Sequence, residues 1–212
     1  ELHDFETLAV LEQGFIEQGQ SMKALIRTVL STPEYRAGQL MDNATPAEDS
    51  TRVLRMMSPD QLASAVEQRT GFRWSRSNAD AMWNDEHGLR TLTGGVDGIQ
   101  TTEPQQSPSL SAILVIKRLA QGAGDFVVTH DTDNPQDPTL LRAEWLQMGS
   151  SDASFEPTLQ ELALLFWSQE MPPETAADYA DFFDRVEQGS DRQQAWTSLV
   201  AALIRDPKFW SY

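Results

Sequence analysis

The same helix-ending device is written near each end of this chain. Residues 23–36, KALIRTVLSTPEYR, align without a gap on residues 197–210, TSLVAALIRDPKFW. In each copy an apolar stripe (Leu25, Ile26, Val29 and Leu30; Leu199, Val200, Leu203 and Ile204) runs into a proline, Pro33 or Pro207. An aromatic follows two residues later, Tyr35 or Phe209. Apolar residues at i, i+1, i+4 and i+5 bury one face of a helix. Proline lacks the N–H that the next turn needs and restricts the residue before it, so the helix stops there. The aromatic can then fold back onto the helix that it terminates. The pattern predicts two helices packed by equivalent faces in one bundle, and it specifies architecture rather than chemistry.

Caps and breakers divide the rest of the chain into further helices. Asp4 caps a first helix with Phe5, Leu8, Leu11 and Phe15 near one face and Gly19 close to its end, and Ser21 caps the second. A polar connector, AGQLMDNATPAEDS, follows, with room for a helical turn around 48–55. Ser58-Pro59-Asp60-Gln61 joins a capping serine to a first-position proline and a first-turn acid. It predicts a helix to about Arg69, with Leu62, Ala65 and Val66 inward and Gly71 as its stop. Phe72 and Trp74 are expected to anchor the following loop, and Asn78 to cap a short helix through Met82 and Trp83. Residues 91–106, TLTGGVDGIQTTEPQQ, have no helical period and predict a long ordered loop with an extended piece at 96–101. Ser109 reopens helix, with apolar residues at 110, 113, 114, 116, 119 and 126–128. This helix is expected to be the most buried, Gly122 and Gly124 allowing a close approach or a break. DTDNPQDP is turn chemistry, LLRAEWLQM is helical, and helices at 158–167, 173–187 and 191–205 finish the chain. No run of five or more residues alternates with period two between hairpin turns. The expected fold is all-α: a single domain over 1–212, a bundle of about seven to nine helices with one long irregular glycine-containing loop.

With 40% hydrophobic residues, six Trp and nine Phe, the 212-residue chain belongs with globular proteins rather than disordered ones. Its formal net charge of −16 makes a surface that repels phosphate backbones and anionic headgroups. Nucleic acid and membrane surfaces are therefore not expected partners. Lys23, Lys117 and Lys208 are the only lysines, a composition suited to a salty environment. The longest apolar runs, around 113–116 and 162–167, are too short for membrane insertion. Absence of cysteine excludes disulfides, thiol catalysis, zinc–thiolate sites and covalent c-type haem within this stretch. The chain opens at Glu1 without a basic and hydrophobic leader, and reads as part of a longer protein.

Several residue groups are candidates for chemistry. His87, in NDEH, and His130, in HDTD, can form a mixed histidine and carboxylate metal site if the fold brings them together. With Asp97 and Asp131 they are the candidate catalytic groups, and polar surface at helix ends is the competing account. Asp131, Asp133, Asn134 and Asp137 offer oxygen ligands to calcium. Their spacing lacks the glycine and distal glutamate of an EF-hand, and an acidic turn capping the next helix explains them equally well. Thr93-Gly94-Gly95-Val96-Asp97-Gly98 can turn backbone amides toward an anion. No cation follows the glycines, however, and positive φ with close packing accounts for them. Arg73 and Arg76 interleave with Phe72 and Trp74 as in single-strand binders, but against this net charge they are expected to pair with acids. Trp74 and Trp83, aromatics beside polar residues, are the candidates for glycan stacking, with core anchoring as the simpler role. No GxSxG, HExxH, Walker or dinucleotide fingerprint is present.

The order of LIRTVLSTPEYR (25–36), MSPDQLASAVEQRTGFRW (57–74), LTGGVDGIQTTE (92–103) and LVAALIRDPKFW (199–210) resembles uncharacterised helical domains of large exported planctomycetal-type bacterial proteins, often linked to c-type cytochrome domains. The resemblance implies a periplasmic or cell-surface location and other domains of the parent protein as partners. It brings no catalytic residues. A chain without cysteine has no CxxCH, so any haem belongs to another part of the parent polypeptide. The expected function is a non-catalytic helical scaffold or interaction module without a cofactor of its own, calcium being the one ion to consider. The alternatives are a metal-assisted hydrolase or redox-associated domain acting on an extracellular polymer, and a glycan-binding module. Nothing in the sequence signals an oligomeric state.

Overall fold

The computed structural model describes residues 11–31, 55–76, 79–84, 88–95 and 108–211. Contacts group the chain into two compact units, Glu1–Leu54 with Tyr212, and Arg55–Ser211. The described residues are mainly helical, as capping and periodicity predict, with one small β-ribbon.

In the first unit residues 11–17 are helical and the chain leaves the helix through Gly19 at φ +66°. Glycine meets no Cβ penalty in that left-handed conformation. Ser21 opens α1 (Met22–Ser31), its hydroxyl accepting from the Ala24 N–H at 3.4 Å. Ala24 is buried and Leu25 and Val29 are half-buried, but Ile26 and Leu30 are 56% and 46% exposed. The predicted stripe is thus only half used, and Met22, Ile26 and Leu30 form an exposed row at four-residue spacing. Asp4, Phe5, Leu8, Pro33, Tyr35 and the connector after them lie outside the described residues.

The second unit contains α2 (Pro59–Thr70), β1 (Ser75–Arg76), β2 (Ala79–Asp80), α3 (Leu89–Leu92), α4 (Leu110–Asp133), α5 (Ala143–Leu146), α6 (Phe155–Trp167), α7 (Pro173–Gly189), α8 (Arg192–Arg205) and α9 (Pro207–Trp210). A capping box starts α2: the Ser58 hydroxyl accepts from the Gln61 N–H at 3.2 Å, and the Gln61 side chain accepts from the Ser58 N–H at 2.9 Å. Gly71 ends the helix at φ +69°, and Leu62, Ala65 and Val66 are buried as predicted. The expected helix through Met82 and Trp83 does not form. β1 pairs antiparallel with β2 instead, and the Asp80 carboxylate accepts from the N–H groups of Met82 and Trp83 at 2.8 and 3.2 Å. Such an Asx turn offers those amides an alternative to helical bonds. At 93–95 the glycines serve geometry. Gly94 has φ +77°, and a Cβ on Gly95 would stand 2.9 Å from the Arg90 carbonyl oxygen. The predicted loop starts later than expected, because residues 91–92 belong to α3, and its remainder, 96–106, lies outside the described residues.

α4 is the central helix, and its large apolar residues divide: Ile116, Leu119, Val127 and Val128 are buried as the pattern predicts, but those of its first turns are not. Leu110, Ile113 and Leu114 are exposed, whereas Ala112, Ile116, Leu119, Ala120, Ala123 and Gly124 are buried. Small residues face inward because α8 lies so close that a Cβ on Gly124 would stand 2.5 Å from the Thr197 carbonyl oxygen. Of the two outcomes predicted for the glycines, the structure shows close approach. α6 begins three residues earlier than the sequence suggests, since Pro157 is tolerated in a first turn where no N–H is required. On α8 the whole stripe of Leu199, Val200, Leu203 and Ile204 is buried. Pro207 ends α8 and also starts α9, with the Asp206 carboxylate accepting from the Lys208 N–H at 2.9 Å. Phe209 is buried against Phe166 of α6, ring centroids 5.6 Å apart, rather than only against the helix it terminates. The Met57 N–H donates to the Trp210 carbonyl at 2.8 Å, tying the start of this unit to its end. Among the described residues no helix is long and apolar enough to cross a membrane.

Candidate functional site

Asp131, a candidate from the sequence, is fully buried in the last turns of α4. Its Oδ1 accepts from the Thr139 N–H at 2.7 Å, the Thr139 hydroxyl at 2.8 Å and His130 Nδ1 at 3.1 Å. Its Oδ2 accepts from the N–H groups of Leu140 and Leu141 at 3.0 and 2.7 Å. Burial alone pushes the carboxyl pKa up, but the hydrogen bonds from Leu141, Thr139 and His130 outweigh it and hold Asp131 below the usual carboxylate range. The group is an anchor that binds the 134–141 loop to α4, with both oxygens committed. His130 fits the same purpose: its ring stacks on Phe126, one turn earlier on the helix, with centroids 5.5 Å apart. It does have a carboxylate within hydrogen-bond reach, as a catalytic histidine needs, yet that carboxylate already serves four other donors.

The remaining candidates scatter. His87 and Asp97 lie outside the described residues, and Asp133 and Asp137 are exposed on the surface. Among the described residues no three His, Asp or Glu side chains converge as a metal site would require. Arg73 pairs with Glu67 at 2.7 Å, as expected, and the Trp83 indole N–H donates to the same carboxylate at 3.3 Å. Trp83 is therefore fixed at the edge of α2, while Trp74 packs partly against the core and opens onto a groove.

That groove encloses about 550 Å³ along α4 and α8. Its floor is made where the helices are narrowest, at Gly122, Thr197 and Ala201, and the Phe72 ring covers Gly122 so tightly that a Cβ there would meet it at 2.8 Å. Phe72, Trp74 and Phe182 supply aromatic surface, Gln121 and Gln194 supply amides, and Asp125 supplies a carboxylate. Arg118 and Arg205 complete the lining. Most arginines of this unit are engaged: Arg69 donates to the Leu165 carbonyl, and Arg73, Arg90, Arg142, Arg185 and Arg192 pair with acids. Among the described residues the side chains of Arg118 and Arg205 have no such partner, nor does that of Arg55 at the unit's first position.

Sequence reading singled out Trp74 but missed Arg118, Gln121, Asp125, Gln194 and Arg205. A signal existed: 118, 121, 122 and 125 share one helical face, as do 194, 198, 201 and 205, and each polar row is interrupted by a small residue. Two such rows facing each other make a recess with polar walls.

The fold and this recess define a mainly helical unit bearing a groove of mixed aromatic, amide and cationic character. Comparison with protein-family models, with curated proteins and with solved structures finds no match to this chain.

Proposed function

We propose that this chain is a non-catalytic interaction module of a larger exported bacterial protein, and that the groove along α4 and α8 is where it receives its partner. The observation that carries this reading is how the candidate groups are used. Asp131 and His130 are spent on holding a loop, whereas the groove presents aromatic residues, amides and two guanidiniums without an acidic partner among the described residues. Binding surfaces combine apolar area with a few polar groups that fix orientation, and they need no acid–base pair. The exported location and the larger parent protein rest on the resemblance of the four motifs. Calcium is not part of this reading, because the Asp131 carboxylate, first of the candidate ligands, already accepts from four donors of the 139–141 segment.

The test is a titration of isotope-labelled full chain with short saccharides and peptides, followed by amide shifts and by analysis of the recovered ligand. Shifts confined to Ser198, Ala201 and Ala202, with the ligand recovered intact, are expected. Shifts centred on His130 accompanied by cleaved ligand would replace this reading with the hydrolase alternative.

A further inference from the structure

We infer that the groove binds a saccharide carrying an isolated carboxylate, such as a uronate residue within an otherwise neutral chain; the inference rests on the docking reading above and names its ligand. In a chain of net charge −16 an exposed arginine has acids close at hand, and Arg73, Arg90, Arg142, Arg185 and Arg192 have each found one. Among the described residues Arg118 and Arg205 have none, although both line one recess that also contains Asp125. Two unpaired guanidiniums make a site for a carboxylate, which each can bind through paired N–H donors.

The rest of the lining selects the body of the ligand. Phe72 and Trp74 offer planes on which the C–H faces of a sugar ring can lie, and Gln121, Gln194 and Asp125 offer the donors and acceptors that hydroxyl groups require. An acidic peptide would match the arginines, but it would place further carbonyls and carboxylates against Asp125. It would also find no apolar pocket for an anchoring side chain, because Arg118, Gln121, Asp125, Gln194 and Arg205 make the walls polar. The acidic surface at large opposes a polyanion, so the carboxylate must be sparse along the ligand.

The experiment is isothermal titration of the full chain with a glucuronate-terminated β-linked disaccharide, with its neutral glucose counterpart and with a glutamate-rich hexapeptide. Binding is mapped by amide shifts. The charged disaccharide is expected to bind about tenfold more tightly than the neutral one. Arg118→Gln and Arg205→Gln should each remove most of that preference without weakening the neutral sugar. Arg185→Gln, which breaks an exposed pair on α7, should change nothing. Equal affinity for the two sugars, or no binding by either, would overturn the inference. If the hexapeptide alone binds, and shifts the groove amides, the ligand class is wrong while the docking reading stands. Cleavage of either sugar would overturn the docking reading itself.

Discussion

A Cβ placed on Gly124 would stand 2.5 Å from the carbonyl oxygen of Thr197, so α4 and α8 touch backbone to side-chain position with nothing between them. The neighbour is backbone and cannot rotate away. Gly124→Ala must therefore push the two most extensively packed helices apart, and we expect a loss of about 1–3 kcal/mol in urea unfolding. Gly122→Ala meets only the rim of the Phe72 ring, which can swing aside. It should cost less stability and act mainly on the groove. A similar loss for both variants would show that the approach of α4 and α8 is not tight.

Asp131 gives a prediction with a defined pH sign. Its pKa in the folded chain lies below the usual value, which is about 3.9 when unfolded. The stabilisation is therefore present above roughly pH 4 and is lost as pH falls through the folded pKa. Asp131→Asn replaces one acceptor oxygen by a donor that faces N–H groups already there. It should cost about 2–4 kcal/mol at neutral pH and flatten the acid limb of the stability curve. A variant as stable as the parent at pH 7 would refute the anchoring role.

Two buried tryptophans differ in one bond. Trp167 donates its indole N–H to the Leu203 carbonyl at 3.0 Å, whereas the Trp196 indole N–H, also buried, has no acceptor among the described residues. Phenylalanine at either site loses volume, but at 196 it also removes an unsatisfied donor, an advantage of about 1–3 kcal/mol. Trp196→Phe should therefore be the milder substitution, and thermal or urea unfolding of the pair would decide it. The T-shaped contacts of Trp196 with Phe183, and its tilted contact with Phe155, should survive in part, since a phenyl ring keeps the inner half of the indole plane.

What could be read from the sequence was local. Ser58, Gly71, Ser109 and Asp191 announce helix ends by hydrogen bonds to their own neighbours, and each acts as its residue type predicts. What could not be read was decided by distant partners. The pairing of β1 with β2 wins over a helix because Asp80 captures two amides, and Gly124 of α4 faces α8 because the Thr197 carbonyl leaves no room for a side chain there. The groove suffered the same fate. Its two polar rows are unremarkable singly, and only packing brings Arg118 and Arg205 to one recess.

The echoed ends supply the last prediction, since similar sequence meets different surroundings. Leu203 and Ile204 are wholly buried, while the aligned Val29 is half-buried and Leu30 is 46% exposed. A stripe of apolar residues sets which face of a helix is able to be buried, and the available neighbours set how much of it is. Leu203→Ala should accordingly cost about 2–5 kcal/mol, a core truncation that leaves a cavity. Ile26→Ala, at 56% exposure, removes little buried area and should stay within about 0.5 kcal/mol of the parent. Equilibrium unfolding followed by far-UV circular dichroism measures both. Comparable losses would mean that the exposed row Met22, Ile26 and Leu30 is covered in solution and that the two copies are equivalent after all.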